Sequence, residues 1–282
     1  MVLYADDCQF LIKGKVEDFR NIIANAEKVL MKAKRYFDQN GLLINPGKTQ
    51  FIIIGSRQNI AKIPENIQIN YDNNKIVPSV SVKNLGIYID RFMTFEVHVE
   101  EVRKKVMGIL IFLNRIKDSI PPTTRTQVVE TLALSIVNYC LKIWGTANRA
   151  QLQKVQMLQN FAARIAVGNV RKYEHITPHI NKLKWLKTSN KCIFDTCIYI
   201  FKLLNHQLPA WLLSLPRVRE MIFRNTRQRN NLFVPPTRTM AGEREMGVRG
   251  PKLWNSLPDS VKNSTSIYSF KRSLKTYLLA SQ

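Results

Sequence analysis

The spacing of apolar side chains changes character near residue 95, and this change restricts the chain to two kinds of architecture in succession. Before it, apolar residues fall in short runs broken by turn formers such as Asn45-Pro46-Gly47 and Asp72-Asn73-Asn74. After it they recur at three- and four-residue steps, punctuated by prolines at 121, 122, 178, 209 and 216. The pattern predicts an α+β start followed by a mostly α-helical remainder. Residues 1–14 alternate around Asp6-Asp7 and predict two short strands with a turn between them. A helix is expected over 15–40, because Phe19, Ile22, Ile23, Ala26, Val29, Leu30, Ala33 and Phe37 share one side and Asn40-Gly41 supplies a stop. Residues 42–44 and 50–54 read as a strand pair across Asn45-Pro46-Gly47, residues 67–71 and 76–82 as a hairpin, and 86–90 as a short strand. Helices are expected over 96–117, 123–141, 149–167, 191–205 and 266–279, with 217–250 a loosely held basic loop. No internal repeat has a solenoid period.

Charge divides close to the same place. The 282 residues carry 43 Lys+Arg against 20 Asp+Glu, a net of +23. Residues 1–101 hold 13 basic and 12 acidic side chains, whereas 102–282 hold 30 and 8, so the excess lies wholly in the second part. A net of +22 over that stretch repels itself unless a polyanion screens it, which points to RNA or DNA. Candidate phosphate contacts are Arg103, Lys104 and Lys105 on the first basic helix, and Arg224, Arg227, Arg229, Arg238, Arg244 and Arg249 in the basic loop. Four cysteines are too few for a secreted disulfide scaffold, and no apolar run is long enough to span a membrane. An intracellular protein of the nucleus or cytoplasm, without a membrane partner, is expected.

Tyr4-Ala5-Asp6-Asp7 is the sharpest chemical feature. Two adjacent carboxylates at the end of an apolar strand pair are costly unless a cation sits there, and Mg²⁺ suits oxygen ligands of this kind. Solvated turn aspartates are the alternative. Gly47-Lys48-Thr49 is not a nucleotide-binding P-loop, since Leu42 stands where the motif needs glycine and a strand-like stretch follows where it needs a helix. His175, His179, Cys192 and Cys197 are a loose set of zinc ligands, but both cysteines fall in an apolar helical pattern that favours buried free thiols. Trp144, Trp185, Trp211 and Trp254 occupy helical spacings that suit a core better than base stacking.

The order of these segments resembles the reverse transcriptase of non-long-terminal-repeat (LINE-like) retrotransposons. The resemblance rests on Tyr4-Ala5-Asp6-Asp7, an amphipathic helix, the stretch from Gly41 to Thr49 with Asn45-Pro46-Gly47-Lys48, and Asn84-Leu85-Gly86-Ile87-Tyr88-Ile89-Asp90. It continues through Gln159, Ala162, Ala163 and Arg164, then His175-Ile176-Thr177-Pro178 with Leu183 and Trp185-Leu186, and ends on Gly250-Pro251-Lys252-Leu253-Trp254-Asn255-Ser256-Leu257-Pro258. It implies a partial polymerase palm over 1–95, a helical thumb over 96–170, a connector over 171–216, and a basic loop with a C-terminal helix over 217–282.

By the same resemblance, Asp6 is the main ligand of a two-Mg²⁺ site, Asp7 a weaker one, and Lys48 the cation beside the triphosphate. Tyr4 and Ala5 lie near the primer terminus or incoming nucleotide. The implied partners are an RNA template, a DNA primer and deoxynucleoside triphosphates. With only three residues ahead of Tyr4, the fingers and the other catalytic aspartate of the family are expected to be missing. A two-metal site needs carboxylates from both strands. The expectation is a truncated RNA-directed DNA polymerase, inactive in isolation and dependent on an upstream polymerase region. The alternative is a non-catalytic RNA- or DNA-binding module built on the basic C-terminal two-thirds.

Overall fold

Residues 2–4, 7–71, 74–168, 170–171, 173–209 and 231–282 are described by a computed structural model that is mostly helical, with a few short antiparallel hairpins. The chain divides into two compact units, Met1–Val97 and His98–Gln282. Among the described residues, no helix is long and apolar enough to cross a membrane.

In the first unit β1 (Val2–Tyr4) pairs with β2 (Asp7–Gln9), as the alternation predicts, with Tyr4 opposite Asp7. The long helix α1 (Phe19–Gln39) follows a 3-10 turn. It ends in a Schellman motif, in which Gly41 takes a φ of 70° while the Gly41 and Leu42 amides bond to Asp38 O (3.1 Å) and Phe37 O (2.9 Å). A short helix α2 (Arg57–Ile60) precedes the hairpin of β3 (Ile69–Tyr71) and β4 (Asn74–Ile76). Helix α1 packs on β3, where the Glu27 carboxylate accepts from Asn70 N at 2.8 Å and Asn70 Nδ2 at 3.0 Å.

β5 (Ser81–Asn84) and β6 (Ile87–Asp90) form the last hairpin. Its two loop residues, Leu85 (φ 44°) and Gly86 (φ 85°), both adopt the left-handed backbone that a type I′ turn demands. Asp90, buried, then gathers the chain. Its carboxylate accepts from Phe92 N (3.0 Å), Thr94 N (3.0 Å), Thr94 Oγ1 (3.1 Å) and Phe95 N (2.6 Å). Those bonds hold Met93 (φ 53°) and Phe95 (φ 58°) in conformations that L-residues resist, and lead into α3 (Glu96–Ile116).

Two strand expectations fail here. Residues 42–44 and 50–54 do not pair, because Asn45 closes a tight turn on itself. Its Oδ1 accepts from Gly47 N, and its carbonyl from Lys48 N, Thr49 N and Thr49 Oγ1. The arms diverge, and Phe51 instead forms a parallel bridge with Pro78, its carbonyl accepting from Ser79 N at 2.8 Å. The strand expected over 76–82 breaks at Pro78, which has no N–H to donate, so residues from Ser81 pair with β6.

The second unit is helical throughout its described elements. α4 (Pro122–Val129) passes through a π turn over Glu130–Leu134 into α5 (Ser135–Asn138), and the expected single helix over 123–141 ends there. Cys140 turns left-handed (φ 50°), and Trp144 of α6 (Leu141–Trp144), fully buried, donates its indole N–H to Tyr139 O at 2.7 Å. The need of a buried indole for an acceptor is met by this break. Helix α7 (Arg149–Val167) forms over the predicted span, capped by Asn148 Oδ1 accepting from Gln151 N. α8 (Thr177–Lys182) and α9 (Thr188–Leu204) follow.

After them come α10 (Met240–Arg244), α11 (Met246–Asn255), α12 (Asp259–Lys262) and α13 (Ile267–Ala280). Met240–Arg244 and residues 246–250 are therefore helical where a loose loop was expected over 217–250, the second helix because Val248, Gly250, Pro251 and Trp254 are buried. Residues 210–230 lie outside the described part.

The core of this unit centres on Phe201, Trp254 and Phe270, with Phe201 stacked on Phe270 at 4.4 Å and Trp254 on Phe270 at 5.7 Å. Helices α9 and α11 approach closely at Gly250, where a Cβ would meet Ile200 Cδ1 at 2.6 Å. Asn255 clamps a passing chain: its Oδ1 accepts from Leu232 N and its Nδ2 donates to Leu232 O, both at 2.9 Å. Leu232 is 2% exposed, so Asn255→Ala strands a buried amide and a buried carbonyl without partners. We expect that substitution to lower unfolding free energy by about 2–4 kcal/mol in urea titration, against less than about 0.5 kcal/mol for Ser256→Ala. Equal stability of both variants with the native chain contradicts this role.

Candidate nucleic-acid interface

The aspartate turn can be followed only in part. Tyr4 is 63% exposed and Asp7 is exposed across from it, while Ala5 and Asp6 lie outside the described residues. Reciprocal amide bonds between Gln9 and Asn84, at 2.5 and 3.1 Å, tie this hairpin to β5. Lys48 is exposed in the Asn45 turn, its amide bonded to Asn45 O, and no ion pair joins it to Asp7. Among the described residues, no group of three or more His, Cys, Asp or Glu is arranged to hold a metal ion.

The cations of the second unit fall into distinct settings. Arg103 grips Glu100 in a two-point ion pair, Nη2 to Oε1 at 2.7 Å and Nε to Oε2 at 3.0 Å, and Lys104 pairs with Glu101 at 3.2 Å. The Arg103 hydrogen bond holds the Glu100 carboxyl below its ordinary range, and the same bond raises the guanidinium. Both pairs are i,i+3 neighbours on an exposed helix face, so the cations remain at the surface. Lys105 is exposed and has no ion pair among the described residues. On the inner side of the same helix His98 is 4% exposed and meets Trp144 edge-on at 5.2 Å, and burial, aided by the Lys105 charge, holds its pKa at about 4.

Arg249 is turned inward. Its Nη2 lies 2.8 Å from Cys192 Sγ and its Nη1 donates to Lys142 O at 3.4 Å, a commitment no linear pattern reveals. Arg238 is exposed, Arg244 half-buried, and Arg224, Arg227 and Arg229 fall outside the described residues. Sequence reasoning overlooked a basic stripe on α13, where Lys271, Arg272 and Lys275 are exposed opposite buried Phe270, Leu274 and Leu278. The signal was present in the amphipathic spacing of that helix. Arg115, Arg149, Lys154, Lys182 and Lys184 are exposed as well.

The histidines and cysteines do not converge. His179 Nε2 pairs with Glu174 Oε1 at 2.7 Å, whereas Cys192 and Cys197 are buried free thiols on α9. Burial pushes the Cys192 thiol up and that of Cys197 up to about 12. Trp144, Trp185 and Trp254 are core residues, and Trp211 lies outside the described part.

Cys8 and Cys140 are half-buried, so a thiol reagent at pH 8 should modify those two in the folded protein. With a pKa of about 12, Cys197 has a thiolate fraction of about one in ten thousand at that pH, and both α9 thiols should react only on unfolding. Rapid modification of all four cysteines contradicts their placement. Comparison with protein-family models, curated proteins and solved structures found no match to this chain.

Proposed function

We propose that the chain derives from the palm end, thumb and tail of a non-long-terminal-repeat reverse transcriptase, and that it holds an RNA template and a DNA primer through phosphate contacts of its second unit. The observation that carries this reading is the charge balance. Residues 102–282 hold 30 basic and 8 acidic side chains, and most of those acids are already engaged locally. Glu174 pairs with His179, Asp195 with Lys191, Glu243 with Lys252 and Asp259 with Lys262, while Glu130 accepts from the Trp185 indole. Few carboxylates are left to neutralise the exposed cations, and a polyanion does so while releasing its own counterions. The order of the motifs from Tyr4 to Pro258 supports the polymerase ancestry.

Catalysis stands apart from binding. RNA-directed DNA polymerisation with Mg²⁺ and deoxynucleoside triphosphates belongs to the proposal as the activity of the parent enzyme. An upstream polymerase region bearing a second metal-binding carboxylate would be its partner in that reaction. For this chain on its own, the charge favours non-catalytic binding to RNA and DNA.

The test is affinity for an RNA–DNA primer-template over a salt series, with primer extension run on the same complex. With about four phosphate contacts, the affinity should fall ~100-fold between 0.05 and 0.2 M monovalent salt, and the chain alone should make no DNA. Salt-insensitive affinity contradicts phosphate binding. Synthesis that Asp6→Ala abolishes contradicts the absence of catalysis.

A further inference from the structure

In the loop between α7 and α8, the described residues Arg171 and Glu174 are braced from several sides. Arg164, in the last turn of α7, donates through Nη1 to Arg171 O and through Nη2 to Glu174 O, both at 2.7 Å. The Glu174 carboxylate accepts from Arg171 N at 3.3 Å and is pinned to His179 of α8. Ile176 anchors the far end, 7% exposed, and Thr177-Pro178 start α8 with proline in the first turn, where its missing N–H costs nothing.

Arg125 lies beneath this loop. It is 8% exposed, its Nη2 donates to Ile120 O at 3.1 Å, and its Nη1 sits so close to Gly168 (φ 92°) that a Cβ there would clash with it. Its Nε has no hydrogen-bond partner, and no carboxylate pairs with it among the described residues. Gly168 therefore rests on a guanidinium that no carboxylate compensates among the described residues.

On this frame stands Tyr173, 92% exposed, with Arg171 and His175 exposed on either side in sequence. A ring so exposed adds almost nothing to the core. Rigid presentation of an aromatic among cations is what base stacking requires, since every base has a face to stack and bracing lowers the ordering cost.

We propose that Arg171 and Tyr173, between α7 and α8, form a contact for single-stranded nucleic acid, in which Tyr173 stacks on an unpaired base and Arg171 takes an adjacent phosphate. The assignment rests on the nucleic-acid reading above and specifies one site for it.

The experiment is fluorescence anisotropy of the full chain with a labelled single-stranded RNA of mixed sequence and with the corresponding RNA duplex. Tyr173→Ala should weaken single-strand binding about tenfold and leave duplex binding within about twofold, while Tyr173→Trp retains both. Arg171→Gln should reduce the salt slope by about one. Single-strand affinity unchanged by Tyr173→Ala, or an equal loss on strand and duplex, overturns the stacking site while leaving the nucleic-acid reading intact. A native chain that binds neither RNA overturns both.

Discussion

The stack of Phe201, Trp254 and Phe270 is the contact on which the second unit depends, because it joins α9 to α11 and α13 from much later in the chain. Each ring buries enough apolar surface to contribute about 2–3 kcal/mol, and the stacked geometry adds about 1 kcal/mol per pair. The neighbouring features serve this contact. Gly250 lets α11 approach Ile200, Asn255 fastens the segment at Leu232, and Leu257 and Val261 extend the same core. The tail motif from Gly250 to Pro258 is thus accounted for by packing, with Lys252 exposed at its surface. The far end of the chain is tied in too, since the Gln282 side chain bonds to Lys187 N, Asn181 and Trp185 O.

A core built from one face of each helix decides where the charge goes. On α13 the buried positions Phe270, Leu274 and Leu278 leave Lys271, Arg272 and Lys275 facing water. On α3 the same logic buries Val99, Val102 and Val106 and exposes Lys104 and Lys105. The basic surface follows from amphipathic folding of a lysine- and arginine-rich sequence and needs no dedicated motif. Its chemistry is suited to phosphate, which positions a nucleic acid without reading its sequence. An aromatic contact of the Tyr173 kind would add a preference for unpaired strands.

Long periodic segments were legible and special backbone was not. Helices α1 and α7 form where apolar spacing predicts them, α1 with its stop at Asn40-Gly41, because those signals are local. The failed strand pair at 42–54 turned on Asn45, whose side chain competes with the sheet for backbone donors, and on Phe51 finding Pro78 some 27 residues away. The break at Cys140 depends on a buried indole needing an acceptor, which no window of sequence contains. Asp90 was read only as the end of a strand, yet its four hydrogen bonds set the path into α3. Of the candidate site, the helical cations Arg103, Lys104 and Lys105 were legible from spacing, whereas Arg249 was not, because its contacts with Cys192 and Lys142 are made between distant segments.

The account comes to a single claim, that nucleic acid is held by the second unit through its basic helical surface. Photochemical cross-linking of the full chain to an RNA–DNA primer-template, followed by mass-spectrometric mapping of the adducts, tests it most directly. The account predicts adducts concentrated within His98–Gln282. Adducts confined to Met1–Val97 would contradict it.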